Sequence, residues 1–168
     1  MINTYSLFPV IVYQGKLPLQ PFLHKKIISF VEKNYTEKNM YSIVNGVQIH
    51  EDFDGKKELD QLLNKLTLTT LSSSIVNGWL NILGNDSYNH PHIHPSNEPA
   101  LSGVLYISNT NNNINFTKDG DVFSFQPKIF DYLIFPYNLV HYVLPEKRKE
   151  KRISYAFNLK IERVNKNV

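Results

Sequence analysis

LSGVLYISNTNNNINFTKDGDVFSFQPKIFDYLIFPYNLVHYV, residues 101–143, is a series of short apolar runs cut apart by Asn, Asp, Gly and Pro. The runs fall at 101–108, 114–117, 122–126, 131–135 and 139–144 and are rich in Val, Ile, Tyr and Phe. Such side chains suit a pleated, half-buried surface, and the residues between them are turn formers. Working outward, similar runs lie at 74–83 and 91–95 on one side and at 152–161 on the other. Short strands in close succession with no helical stretch between them predict a barrel or sandwich. The fold class expected is mostly β with N-terminal helices, a double-stranded β-helix (jelly roll).

Upstream the pattern changes. Tyr5 to Tyr13 is apolar and β-branched enough for a first strand. Pro21 stands where a helix begins, and Phe22, Leu23, Ile27, Phe30 and Val31 recur behind it at helical spacing to about Tyr35. A second helix is predicted from Lys56 to about Leu66, with Leu59, Leu62, Leu63 and Leu66 on one face. The expected layout is one domain over 1–168. Residues 1–73 supply an N-terminal strand and supporting helices, and 74–161 the jelly-roll core, backed by two or more helices.

Composition narrows the chemistry. The chain has 168 residues and no cysteine, which excludes disulfides, thiolate metal sites and a Cys nucleophile. Any metal would be held by His, carboxylate or water. A net charge of +3 gives no reason to expect nucleic acid or an anionic membrane as partner. The basic run Lys147 to Arg152 reads in its first part as a solvated turn. No apolar stretch approaches the roughly 20 residues of a membrane span. Met1 to Tyr13 lacks the pattern of a signal peptide, so a cytoplasmic location is expected. A homodimer is one arrangement left open.

The segment Asn89-His90-Pro91-His92-Ile93-His94-Pro95 carries the strongest chemical signal. Residues two apart on a strand point to the same side, so His92 and His94 project together. His141 lies within the apolar run Leu139-Val140-His141-Tyr142-Val143, where an unpaired imidazole is an odd filler. Three imidazoles on one face of a metal leave the opposite positions open for substrate and oxygen. His90 and His92 form an alternative pair, disfavoured because Pro91 interrupts strand pairing just after His90. His24 and His50 read as surface or satisfied core residues.

In Lys151-Arg152-Ile153-Ser154-Tyr155-Ala156-Phe157-Asn158, alternation puts Ile153, Tyr155, Phe157 and Leu159 on one face. Arg152, Ser154, Ala156 and Asn158 occupy the other. If the apolar set packs against the helices, Arg152 and Ser154 face the barrel mouth. A guanidinium there needs an anionic partner, and a ligand carboxylate met bidentately would satisfy it, with a hydroxyl added from Ser154. The plainer reading is that Arg152 only closes the basic turn.

His92-x-His94-Pro, Leu101-Ser102-Gly103-Val104-Leu105-Tyr106, Ile134-Phe135-Pro136-x-x-x-x-His141 and Arg152-Ile153-Ser154-x-x-Phe157-Asn158 together resemble the 2-oxoglutarate/Fe(II) oxygenases of phages and marine bacteria. Leu7-Phe8-Pro9 and Trp79-x-Asn81 match the opening and middle of the same pattern, so the resemblance spans most of the chain. It implies a prolyl-hydroxylase-like barrel in which His92, His94 and His141 bind Fe(II). Arg152 would hold the distal carboxylate of the co-substrate 2-oxoglutarate, with Ser154 assisting. Tyr106 falls near the co-substrate, and Asn81, inward with Asn77 and Trp79, reaches it too. The activity implied is hydroxylation of an unknown small-molecule or peptide substrate, with release of succinate and CO2. Trp79 and Asn158 are candidates to line the substrate side, Trp79 having a buried structural role as its alternative.

The chain departs from this pattern where His94 stands in place of the usual acidic ligand. Glu98 and Asp131 are the nearby carboxylates, but neither has the strand spacing to replace it. Phe130 stands where a Gly is usual. Two other readings remain. In a cupin, His92-x-His94-x-x-x-Glu98 and Pro136-x-Asn138-x-x-His141 would make Glu98 a fourth ligand without 2-oxoglutarate. Gly103 comes too early for that pattern, and Arg152 and Ser154 are left without a role. In a non-catalytic jelly-roll module, the same surface would bind sugar or peptide.

Overall fold

Strands and helices alternate early and strands alone follow in the computed structural model, which describes residues 10–35, 38–66, 72–94, 100–147 and 149–162. The order is β1 (Tyr13–Lys16), α1 (Pro21–Asn34), β2 (Lys38–Met40), β3 (Ile43–Ile49), α2 (Lys56–Leu63), β4 (Ser72–His92), β5 (Ala100–Tyr106), β6 (Ile114–Lys118), β7 (Asp121–Phe125), β8 (Asp131–Pro136), β9 (Val140–Val143) and β10 (Arg152–Glu162). All the strands belong to one antiparallel sheet, ordered β1-β8-β5-β10-β4-β9-β6-β7, with β3 on the free edge of β4 and β2 beyond it. The architecture is mostly β, a curled antiparallel sheet with two helices.

The long strand β4 joins the two halves of the sheet. Its first part pairs with β10, from Ser72↔Glu162 to Leu83↔Arg152, and its last part pairs with β9, at Asn89↔Val143 and His92↔His141. Between them the backbone is irregular: Asn45 and Asp86 lie at φ 53° and 55°, and β3 shifts register against β4 between Val44 and Gly46. Gly84 N donates to Ser87 Oγ at 2.9 Å, and the Ser87 hydroxyl donates to the Asn45 carbonyl. Such a bulge bends a strand and re-aims the side chains beyond it. Residues 74–83 and 91–92, read from sequence as parts of two separate strands (74–83 and 91–95), are thereby joined through 84–90, whose Gly-Asn-Asp composition looks like a turn. Pairing with β3 overrides that local preference.

Helix α1 begins with Pro21 at its first turn and ends before Tyr35, as the periodicity predicts. It has no side-chain cap at Gln20, so packing of Leu23, Ile27 and Val31 holds it. Each such residue contributes about 1.5–3 kcal/mol by leaving water. Phe22, expected on the same face, is 73% exposed. Helix α2 stops at Leu63, and tighter turns at Lys65 and Leu66 finish it. Of the first strand expected over Tyr5 to Tyr13, residues 5–9 fall outside the described residues; among those described, β1 starts at Tyr13. The β2–β3 pair was not legible in the sequence at all.

Alternation divides the core into two layers. Leu101, Leu105, Ile134, Ile153, Tyr155, Phe157 and Leu159 pack toward α1 and α2. Val104, Tyr106, Ile114, Phe116, Leu133, Phe135 and Leu139 form a second cluster on the inner face. Tyr155 crosses the outer layer to donate its hydroxyl to Asp60 at 2.6 Å. Gly103 sits where β5 meets that layer, and a Cβ there would lie 2.2 Å from the Phe157 ring. Phe157 is fully buried and cannot yield without moving the core. Gly103→Ala is therefore expected to cost about 1–3 kcal/mol, lowering the thermal midpoint by roughly 2–4 °C per kcal/mol. A melting curve unchanged from wild type would contradict this packing.

Candidate metal centre

The end of β4 and the short strand β9 bring the three predicted histidines together. His92 and His141 are cross-strand partners, and His94 follows two residues later, its backbone N–H donating to the Tyr137 carbonyl at 2.9 Å. The ring centroids are 4.3 Å apart for His92 and His141, 5.1 Å for His94 and His141, and 5.5 Å for His92 and His94. One nitrogen from each of the three can be chosen so that all lie within 4.8 Å of one another. Among the described residues no other group of three or more His, Asp or Glu side chains meets in this way. His90 is exposed, with its ring turned edge-on to Tyr88.

Hydrogen bonds decide which nitrogens are left free to bind. His92 Nδ1 contacts the His90 carbonyl at 2.6 Å, and His141 Nδ1 contacts the Leu139 carbonyl at 3.0 Å. His94 Nδ1 lies 2.8 Å from both Asn158 Oδ1 and Ser102 Oγ. Carbonyl oxygens only accept, so Nδ1 carries the hydrogen and Nε2 keeps its lone pair. Supporting bonds of this kind orient metal-binding imidazoles. Ser102 also donates to Asn158 Oδ1 at 2.9 Å, and Asn158 Nδ2 donates to Asn77 Oδ1 at 2.9 Å. Asn158 thus supports His94. The role of Ser102 was missed, although its inward parity with Val104 and Tyr106 is readable in β5.

Burial pushes the pKa of all three imidazoles down, and their mutual repulsion adds to this at His94 and His141. His141, beside Phe135 and Phe116, falls to about 3. At neutral pH all three are electron-pair donors. The sign of the pH dependence follows. Below the ordinary value of 6.5 the unfolded chain takes up protons that the folded, metal-free protein refuses. For His141 stability is thus fully present above about 6.5 and falls as pH drops toward 3, by up to about 1.4 kcal/mol per pH unit; His92 and His94 act in the same direction. Urea midpoints of metal-free protein at pH 7.5 and 5 are expected to show the fall, with a shallower slope in His141→Ala.

The second half of the site lies along β10. Arg152, Ser154 and Ala156 line the same cavity as the three histidines, together with Asn81 and Trp79. Register makes a polar row across the inner face: Gln48 opposite Asn81, Asn81 opposite Ser154, and Ser154 opposite Tyr106. Arg152 is 3% exposed, and its Nη2 donates to Tyr106 Oη at 3.3 Å. Its Nε is buried with no hydrogen-bond partner, and no carboxylate pairs with it among the described residues. The plainer reading, a guanidinium closing a surface turn, does not describe this side chain.

The remaining candidates lie elsewhere. Asp131 accepts from Lys128 N at 2.8 Å, lies 3.9 Å from Lys16 and does not join the histidine cluster. Glu98 lies outside the described residues. His24 is satisfied by the Ile107 carbonyl at 2.8 Å, and Phe130, at φ 67°, packs edge-on against it. His50 is exposed yet stacks on Trp79. The cavity is narrow, about 40 Å³. A larger open groove of about 720 Å³ lined by Val10, Leu101, Pro136 and Ile161 includes none of the histidines and not Arg152. Size alone therefore does not locate the chemistry. No helix among the described residues is long and apolar enough to cross a membrane.

No protein-family model and no curated protein matches the chain. Solved structures do. A prolyl-4-hydroxylase from Pseudomonas putida matches with a TM-score of 0.61 at 14% identity, covering 89% of this chain and 91% of that one. A 2OG-Fe(II) oxygenase family oxidoreductase from Burkholderia pseudomallei matches with 0.58 at 14% identity, over 88% and 84%. HygX from Streptomyces hygroscopicus, solved with nickel, 2-oxoglutarate and hygromycin B bound, matches with 0.63 at 9% identity, over 88% and 82%. At these identities the likeness assigns the fold: the chain is folded as these oxygenase structures are.

Proposed function

We propose that this chain is a non-haem Fe(II)/2-oxoglutarate-dependent dioxygenase, a hydroxylase of a small-molecule or peptide substrate that releases succinate and CO2. On this reading the curled sheet is a double-stranded β-helix backed by its two helices, and residues 1–168 form one oxygenase domain. The observation that carries it is a single cavity with three neutral imidazoles at one end and a buried, incompletely partnered guanidinium at the other.

The donor set fits the group. Three Nε2 lone pairs from one side suit a borderline divalent cation such as Fe(II) and leave its other positions open. The replacement of a carboxylate by His94 makes the site more positive, which favours anionic co-ligands. Arg152 is suited to a carboxylate, since its fork can donate two parallel bonds. Ser154 and Tyr106 add hydroxyls beside it, and Asn81 adds an amide farther along the same row. Bound iron and 2-oxoglutarate would supply the oxidising chemistry, one oxygen atom of O2 going to succinate and the other to the substrate. The protein's part is to orient both and keep the cavity dry. Ala156, Val104 and Phe135 give it apolar walls.

Anaerobic addition of Fe(II) and then 2-oxoglutarate is expected to produce a visible charge-transfer band, and admission of O2 to convert 2-oxoglutarate to succinate. Tight metal binding without any response to 2-oxoglutarate would sink the co-substrate assignment.

A further inference from the structure

Among the described residues, three buried polar side-chain atoms have no hydrogen-bond partner: Arg152 Nε, Gln48 Oε1 and Trp79 Nε1. All three belong to residues lining the cavity of the histidine cluster. Buried donors and acceptors are rarely left unsatisfied, because desolvation is then uncompensated. Three in one cavity mark it as a place completed by ligands. Arg152 suits the anionic co-substrate, which leaves a donor and an acceptor unassigned.

Those two are held in place. Gln48 faces Asn81 across β3 and β4, and its Nε2 donates to Asn81 Oδ1 at 2.9 Å. That bond ties down the NH2 end of the side chain and leaves the carbonyl oxygen as an acceptor. Trp79 is two residues from Asn81, hence on the same face. Its ring stacks on His50 at 5.3 Å and 17°, and its other neighbour is His94, also at 5.3 Å. Arg152 pairs in register with Leu83, four residues along β4 from Trp79, or roughly 13 Å of strand. Trp79 is therefore at the metal end, and Gln48, in register with Asn81, lies between it and the guanidinium.

We propose that Gln48 and Trp79 anchor the primary substrate, and that the group they take is a neutral amide. Its N–H donates to Gln48 Oε1 and its carbonyl accepts from Trp79 Nε1. A carboxylate would set lone pairs against the Gln48 carbonyl, an ammonium would set donors against the indole N–H, and an ester satisfies Trp79 alone. Calling the ligand a substrate rests on the oxygenase reading; the amide subsite itself does not.

Trp79 is the chain's single tryptophan, so its fluorescence reports the subsite without any metal. Metal-free protein is titrated with N-methylpropanamide, propanamide, methyl propanoate and propanoate. A saturable red shift is expected with an amide, and the ester and the carboxylate are expected to bind at least about tenfold more weakly. Response to the secondary amide points to a peptide backbone, and response to the primary amide alone points to a carboxamide. Gln48→Leu should make amide and ester equal. The proposal is overturned if ester or carboxylate binds as well as the amides, or if Gln48→Leu keeps the preference. Should that variant not fold, the probe series on the wild type decides. An amide response without a 2-oxoglutarate band would remove the oxygenase reading and leave the subsite. A band without an amide response would do the reverse.

Discussion

His141→Ala is expected to lower the affinity for Fe(II) or Co(II) by at least about a hundredfold, since even outer partners of a metal ligand are worth 10–100-fold. On the proposed reading His141 is the ligand contributed from a distant strand; it is paired in register with His92 and buried to 6% exposure. Without it the remaining pair comes from one stretch of chain and no longer encloses a face of the ion. A structural loss must be separated from a chemical one, because the imidazole also packs on Phe135. Phe135→Leu serves as the control. It disturbs the same cluster and should lower the thermal midpoint while leaving one equivalent of metal bound. Equilibrium dialysis under anaerobic conditions, with both variants checked for folding, gives the comparison. Unchanged stoichiometry and affinity in His141→Ala would mean that the three rings meet for another reason.

Much of this site was legible because strands write their geometry in steps of two. Alternation alone places Arg152, Ser154, Ala156 and Asn158 on one face of β10, and Ile153, Tyr155, Phe157 and Leu159 on the other. In the fold the second set packs among the helices and the first lies along the inner face of the sheet. His92 and His94 follow from the same rule, and His141 from its place in an apolar run. What could not be read depends on contacts between remote segments. Gln48 went unnoticed because β3 is recognisable only through its pairing with β4, and 84–90 looked like a turn for the same reason. The hold of Ser102 and Asn158 on His94 joins three elements, and no spacing within one of them encodes it. The resemblance to known oxygenases supplied roles for Arg152 and Tyr106 that alternation could not.

Arg152→Met tests the other end of the cavity and is expected to move two quantities in opposite directions. A buried guanidinium with an unpartnered Nε destabilises the ligand-free protein, by about 1–3 kcal/mol for the unsatisfied group. Methionine fills similar space without that demand but takes from the buried Tyr106 hydroxyl its 3.3 Å partner, so the ligand-free melting temperature should rise by only part of the roughly 2–4 °C per kcal/mol. If Arg152 holds the co-substrate as proposed, the same change removes charged hydrogen bonds worth about 1.5–3 kcal/mol. Affinity for 2-oxoglutarate, read from the visible band of the Fe(II) protein, should therefore fall by roughly 10–150-fold. Arg152→Lys keeps the charge but not the planar fork and should bind at an intermediate level. A purely structural arginine would give the contrary pattern, with stability lost and 2-oxoglutarate affinity unchanged.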